Sequence, residues 1–282
     1  MAQTLQGYIT EVRRLLHDAN ANFYTDQQLT DYINGARDRI VRDTGCLRTI
    51  QVAQAPMTPV AGGKAPYFWS ESGTVTAGDY VVSNIFIYKA LTSGILDVNA
   101  PPYPNGNNNY PPTAPFFNGT VELQYAGPSE ILNYDCFPNG VQTLDVLNIN
   151  LYWGNTRVPM RYLPWTQFNS ELRFWQNYIG RPIAFSIFGQ SQVYISPVPD
   201  QVYTIELDTV VLPTALVNLT DTDNINSPYT SPVKFYAAYL AKYYEQSFGE
   251  AEIYKQEYIK QTQAVLVSTY TRRIPDPYSS PY

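Results

Sequence analysis

The sequence predicts an α+β protein: a helical bundle formed from N-terminal and C-terminal helix pairs, an inserted antiparallel β domain, and an extended C-terminal tail. Three observations carry this expectation. Apolar residues recur at helical spacing near both ends of the 282-residue chain. The middle consists of short runs rich in Val, Ile, Tyr and Thr, broken by Pro, Gly and Asn, which is the texture of antiparallel strands. The last residues, RIPDPYSSPY, place Pro275, Pro277 and Pro281 where no helix accommodates them. The corresponding division is 1–50 with 231–272 for the helices, 51–230 for the β domain and 273–282 for the tail.

In the first helix, over 4–17, Leu5, Ile9, Val12 and Leu16 make one apolar face. Thr25 with Gln28 reads as a capping box that opens a second helix, whose face is Leu29, Ile33, Ala36 and Ile40 and whose stop is Gly45. The six arginines of this hairpin are matched by six acids, including Asp38 four residues before Arg42, and read as a solvated face. Candidate strands are 120–126, 141–153, 181–189, 192–198 and 203–212. Between them, 163–182 reads as a short helical or irregular crossing with Trp165, Phe168, Leu172 and Trp175 for one face. Ser231 as N-cap and Pro232 as the first helical residue start a third long helix that Gly249 can stop, and a fourth runs from Ala251 to about Arg272 with Tyr254, Tyr258, Val265 and Tyr270 among its larger side chains.

An extra β module and a Pro/Asn-rich loop occupy about 66–119. Its two strands, DYVVSN and IFIYKAL, leave too little core to stand alone. Tyr67, Phe68, Trp69, Tyr80 and Tyr88 there are candidates for a sugar-stacking row, and the stretch AGDYVVSNIFIYKAL is similar to small chitin-binding-type modules. The same rings would serve equally as the core of a miniature sheet or as a contact to an adjacent subunit.

Composition narrows the function. The formal charge is −6, only 15% of residues are charged, and there are 25 Tyr and 22 Pro. Such a chain suits extended protein contacts and disfavours tight wrapping of a polyanion, although DNA could slide past it. No stretch approaches a membrane span and the N-terminus lacks an apolar signal region, so we expect a soluble protein made in a cytoplasm, with no membrane partner. Cys46 and Cys136 have no metal-ligand spacing and are expected to be reduced thiols.

Catalytic motifs are incomplete. His17, the only histidine, falls at a helix end, where contact with helix carbonyls accounts for it. Gly189-Gln190-Ser191-Gln192 starts like a nucleophile elbow, but Val193 replaces the second glycine. Asp221 and Asp223 open a calcium-loop pattern that fails at Ile225 and Pro232, leaving a loop that caps its own turns. The sequons at Asn118 and Asn218 have no secretory context. Asp200, after Pro197 and Pro199, reads as the cap of a hairpin turn. We therefore expect no enzyme, no cofactor, no metal and no catalytic residue.

Three ordered segments carry a family resemblance. LQGYITEVRRLLHD followed by FYTDQQLTDYINGARDRIVRDTG, then LPWTQFNSELRFW with GRPIAFSIFGQSQVYISPVPDQVYTIELDTVVLPTAL, then SPVKFYAAYLAKYYEQSFGEAEIYKQEY resemble head-to-tail adaptor (connector) proteins of tailed bacteriophages, which are assembled in the host cytoplasm. Residues 54–119 do not fit that pattern. The resemblance implies a virion protein at the portal vertex, in a homo-oligomeric ring of about twelve copies joined head to tail. Its partners would be the portal protein and a downstream tail or nozzle protein, with genomic DNA in transit through the channel. It also implies that the tail reaches the portal, with Arg272, Arg273, Ile274, Tyr278 and Tyr282 as anchors. The alternative is a carbohydrate-binding or adhesin-like virion protein using the aromatic module at 67–94.

Overall fold

A computed structural model describes residues 3–57, 66–101, 114–129, 131–133, 142–171, 178–189 and 192–270. In chain order the elements are α1 (Leu5–Leu15), α2 (Asp26–Thr44), β1 (Arg48–Ala55), β2 (Tyr67–Phe68), β3 (Thr74–Val75), β4 (Tyr80–Ser83), β5 (Phe86–Ala90), β6 (Gly94–Ile95), β7 (Phe116–Asn118) and β8 (Val121–Pro128). There follow β9 (Ile131–Asn133), β10 (Thr143–Trp153), β11 (Thr156–Pro159), β12 (Arg161–Tyr162), α3 (Trp165–Glu171), β13 (Ala184–Phe188), β14 (Gln192–Ser196), β15 (Tyr203–Val211), α4 (Val233–Tyr244) and α5 (Phe248–Tyr270). They form two compact units, 1–48 with 210–282 and 49–209. Residues 210–230, expected with the strands, thus go with the helices.

In the helical unit, α4 packs on α1, α2 and α5. Its buried face is Val233, Ala237, Ala238 and Ala241. Small side chains let the neighbouring helices come close, and Leu240 Cδ1 would lie 3.6 Å from a Cβ at Gly35. The apolar faces expected of the first two helices are buried in full: Leu5, Ile9, Val12 and Leu16, then Leu29, Ile33, Ala36 and Ile40. Thr25 and Gln28 make the reciprocal capping box, and Gly45 ends α2 in the left-handed conformation.

Other helix ends differ from expectation, for local reasons. α1 closes with His17 at φ 56°; its amide bonds the Arg14 carbonyl and the Asp18 amide bonds the Arg13 carbonyl, which is a Schellman closure. α4 ends the same way at Gln246, φ 63°, whose amide bonds Tyr243 while Ser247 bonds Lys242. Gly249 therefore stops nothing and lies in the first turn of α5. Nor does Ser231 cap α4. Pro232 takes the cap position without a side-chain bond, and the Val233 amide is already held by the Thr230 carbonyl.

The other unit holds two four-stranded sheets, ordered β1-β15-β10-β11 and β12-β13-β14-β9. They share one core, with Ala53, Ala55, Val146, Ile149, Leu151, Ile205 and Leu207 from one and Phe185, Val193 and Ile195 from the other. β10 and β11 are joined by Gly154 at φ 57° and Asn155, a two-residue hairpin that needs glycine at its first position. The corner after β14 is not a hairpin turn. β14 and β15 belong to different sheets, and Val198 bridges to Ile179 instead. The Asp200 carboxylate accepts the Tyr203 hydroxyl at 2.6 Å, so it holds the start of β15.

A five-stranded sheet, β2-β4-β5-β8-β7, forms the extra module. β8, assigned from sequence to the main β domain, pairs with β5 along Phe86–Ala90, so the module runs on to Pro128. This supplies the core that two strands could not. Gly119, at φ 65°, sits where a Cβ would lie 2.3 Å from the Ile95 carbonyl oxygen.

Candidate functional site

The helical unit has a polar centre, contrary to the solvated face expected of its arginines. Arg37, on the same face of α2 as Ile33 and Ile40, is 1% exposed. Its guanidinium donates to Asn34 Oδ1 at 3.0 Å, the Thr214 carbonyl at 2.8 Å, Asp223 Oδ1 at 2.8 Å and Asn224 Oδ1 at 3.1 Å. Asp223 Oδ1 also accepts the Ile225 amide at 2.9 Å, and Oδ2 accepts the Tyr8 hydroxyl at 2.6 Å. Burial, then the Asp223 charge and hydrogen bond, push the Tyr8 phenol far above its ordinary range. The cluster sets one guanidinium against one carboxylate, both buried. It ties α1 and α2 to the 212–230 segment, beside a cleft of about 480 Å³ lined by Arg37, Thr214, Leu216, Thr222 and Asn224.

Asp221, the partner of Asp223 in the failed calcium pattern, accepts the amides of Val217 at 2.9 Å and Asn218 at 2.8 Å. Those bonds hold its carboxyl below the usual range. Capping is what both aspartates do. Among the described residues no group of three or more His, Cys, Asp or Glu could hold a metal ion, and no helix is long and apolar enough to cross a membrane.

The second buried arginine, Arg13, organises the α1–α2 loop. It donates to Asp18 Oδ2 at 2.8 Å, the Tyr24 carbonyl at 2.9 Å and Asp26 Oδ1 at 2.7 Å. Asp18 accepts the amides of Asn22 at 2.8 Å, Phe23 at 3.2 Å and Tyr24 at 3.1 Å. Burial opposes the Asp18 charge, but the three amides and Arg13 outweigh it and hold the carboxyl low. A loop fastened this tightly presents Phe23 to solvent, 78% exposed.

Beside that loop the tyrosines of α4 form a chain of ring contacts. Tyr236 meets Tyr239 at 5.2 Å between centroids, Tyr239 meets Tyr243 at 5.8 Å, and Tyr243 meets Tyr244 at 6.3 Å and Phe248 at 5.6 Å. Tyr244 stacks on Tyr32 of α2 at 5.6 Å and 14°. Tyr243, Tyr244 and Phe248 are exposed. Sequence reading assigned no role to this set; the signal available was the density of tyrosine in FYAAYLAKYYEQSF.

The five aromatics of the β module do not form an exposed row. Tyr88 is 1% exposed and Tyr80 7%. Tyr88 lies in a cluster with Val81, Phe86, Val121 and Leu123, against which Trp69 packs; Tyr80 lies with Val82 and Ile87, against which Phe68 packs. Alternation along β4 sends these side chains to opposite faces of a sheet apolar on both. Only Tyr67 is exposed, and its hydroxyl is bonded to Ser70. Tyr80 and Tyr88 are core, which corrects their place in an exposed stacking row, while Phe68 and Trp69 are partly buried against the same clusters.

Of the crossing at 163–182, Phe168 is fully buried and Trp165 packs at 4.6 Å from Phe188 and 4.7 Å from Tyr194, between centroids. Leu172 and Trp175 lie outside the described residues, as do Gln190, Ser191 and Cys136. So do all five proposed tail anchors, Arg272, Arg273, Ile274, Tyr278 and Tyr282. Cys46 is a free thiol. Asn118 is buried and accepts the Asp97 amide while donating to the Asn99 carbonyl, a structural role.

None of the curated proteins compared matches the chain. The family model described as SU10 adaptor protein matches residues 3–280, which takes in both units, the aromatic module included. With that span, the chain belongs to the SU10 adaptor protein family.

Proposed function

We propose that this phage structural adaptor is a non-enzymatic virion protein that joins the portal to the tail. It would act as a helical bundle carrying an inserted β domain, repeated in a head-to-tail ring of about twelve copies at the portal vertex. Genomic DNA would pass through the channel without sequence-specific binding. The family match over residues 3–280 is the observation that carries this reading. Two features support it. A chain of formal charge −6 does not hold phosphate in a channel it must release. The exposed aromatics of the helical unit suit protein contacts.

The tail keeps its part in the proposal. TRRIPDPYSSPY offers two arginines and two further aromatic rings on a proline-stiffened backbone, which lowers the ordering cost of docking into the portal. Removing residues 273–282 should abolish incorporation into portal-bearing heads; full incorporation would remove the anchoring role. For the function as a whole, the test is electron microscopy of the purified chain mixed with its portal. A ring stacked on the portal is the expected result. A persistent monomer with no affinity for the portal would overturn it.

A further inference from the structure

Among the described residues, one sheet edge differs from the rest. The two four-stranded sheets end at β1 and β11 and at β12 and β9, the module's sheet ends at β2 and β7, and β3 and β6 pair only with each other. β11 has four residues and closes on Pro159, β7 and β9 have three, and β2, β3, β6 and β12 have two. β1, RTIQVAQA, has eight. Short length, proline and lysine are devices that keep an edge from recruiting another strand, and β1 has none of them.

The fold uses only one side of this strand. The Gln51 carboxamide donates to Thr143 Oγ1 at 3.2 Å and Thr209 Oγ1 at 3.4 Å, and Ala53 and Ala55 lie in the core shared by the two sheets. Alternation turns Ile50 and Val52 to the other face, where they are 60% and 56% exposed. The backbone divides in the same way. The Val211 amide bonds the Leu47 carbonyl and the Thr209 hydroxyl bonds the Thr49 carbonyl, so β15 runs antiparallel to β1 with the odd-numbered residues turned toward it. The amides and carbonyls of Ile50 and Val52 therefore point to the open side. Backbone groups on an open edge, flanked by exposed β-branched side chains, are a template for a further strand.

Length and symmetry decide what fills the edge. In a head-to-tail ring each contact joins two different surfaces, so β1 does not meet β1 of a neighbouring copy. Among the described residues, no other edge that a neighbouring copy could bring matches a strand of eight residues. Nor does the terminal run RIPDPYSSPY suit a ladder, because Pro275, Pro277 and Pro281 have no amide to donate. We propose that β1 takes up an extended segment of a different virion polypeptide, which joins the β1-β15-β10-β11 sheet as an added edge strand. The proposal rests on the adaptor reading, which supplies the neighbour. The segment bonds the backbone of Ile50 and Val52, lacks proline over the paired stretch, and carries apolar side chains at alternate positions to lie beside Ile50 and Val52.

Photo-cross-linking in assembled particles tests this, with p-benzoylphenylalanine in place of Ile50 in the full chain. The expected product joins position 50 to another virion polypeptide, within a proline-free run of alternating apolar residues. No cross-link, or cross-links only within this chain or between its copies, overturns the proposal. A second arm adds Val52→Pro or Val52→Thr to the same chain, each checked for a native melting curve. Proline removes an amide that faces the open edge and leaves the ladder to β15 whole, whereas threonine keeps that amide. Cross-linking should fall roughly fivefold or more with proline and stay within about twofold with threonine. Equal yields in the two variants overturn the proposal. Where Val52→Pro disturbs the melting curve, Gln54→Pro, with its amide on the same side, replaces it. The two readings fail differently. Particles that contain the chain without the cross-link leave the adaptor reading standing, whereas the unsubstituted chain missing from purified particles removes both.

Discussion

Replacing Asp223 by alanine should be the most damaging single polar change in the helical unit. The Asp223 and Arg37 side chains are 0% and 1% exposed, so solvent does not screen the pair. Losing the carboxylate leaves a guanidinium buried without a counter-charge, which costs about 3–5 kcal/mol. The Tyr8 hydroxyl and the Ile225 amide lose their acceptor as well, and an orphaned buried donor costs about 1–3 kcal/mol. These effects share one site and do not simply add, so about 4–6 kcal/mol is expected. At ~3 °C per kcal/mol the transition carrying α1, α2, α4 and α5 should fall by roughly 15 °C. Calorimetry with urea unfolding measures this. The double variant Arg37→Met with Asp223→Leu separates loss of a pair from loss of packing. It removes both charges, and should recover most of the deficit. A loss under about 1 kcal/mol for Asp223→Ala, or a double variant no better than the sum of the singles, would refute the reasoning.

Other consequences are local or pH-dependent. Tyr8, Tyr24 and Tyr258 have phenol pKa values raised chiefly by burial, then by Asp223, Glu245 and Asp43 respectively. Their folded values lie above the unfolded one, so their contribution is intact below about pH 10 and is lost as pH rises beyond it, at about 1.4 kcal/mol per pH unit for each proton. Melting curves taken upward from pH 9 check this, and a flat profile contradicts it. Thr25→Ala should cost about 1 kcal/mol through the lost capping box, while Ser231→Ala should change stability by less than about 0.5 kcal/mol because Ser231 caps nothing. Gln246→Gly relieves a left-handed residue in the α4 closure and should stabilise by about 0.5–1 kcal/mol; a loss of stability in urea titration would count against that closure. Gly119→Ala drives a Cβ toward the Ile95 carbonyl and should raise proteolytic cleavage within 66–129, with unchanged cleavage as the contrary result.

Much of the helical unit can be read residue by residue. Leu5, Ile9, Val12 and Leu16 line one face whatever else the chain does, because the 3.6-residue period is set by bonds spanning four residues. The Thr25 and Gln28 box is likewise closed within a single turn. The strands at 143–153, 184–188, 192–196 and 203–211 are visible for a related reason, since alternation and β-branching act along one strand. Tertiary structure decided the partners. Alternation does not say which strand lies alongside, so β14 and β15 looked like a hairpin although they belong to different sheets, and β8 looked like part of the main domain although it completes the module. The same limit hid the candidate site. Arg37 and Asp223 are 186 positions apart, and a charged residue can leave water only if the fold brings its counter-charge to it. Tyr88 shows the converse: a tyrosine on a strand offers the same ring to a ligand or to a core. What stands above it in the folded sheet, here Phe116 and Tyr125, makes it core.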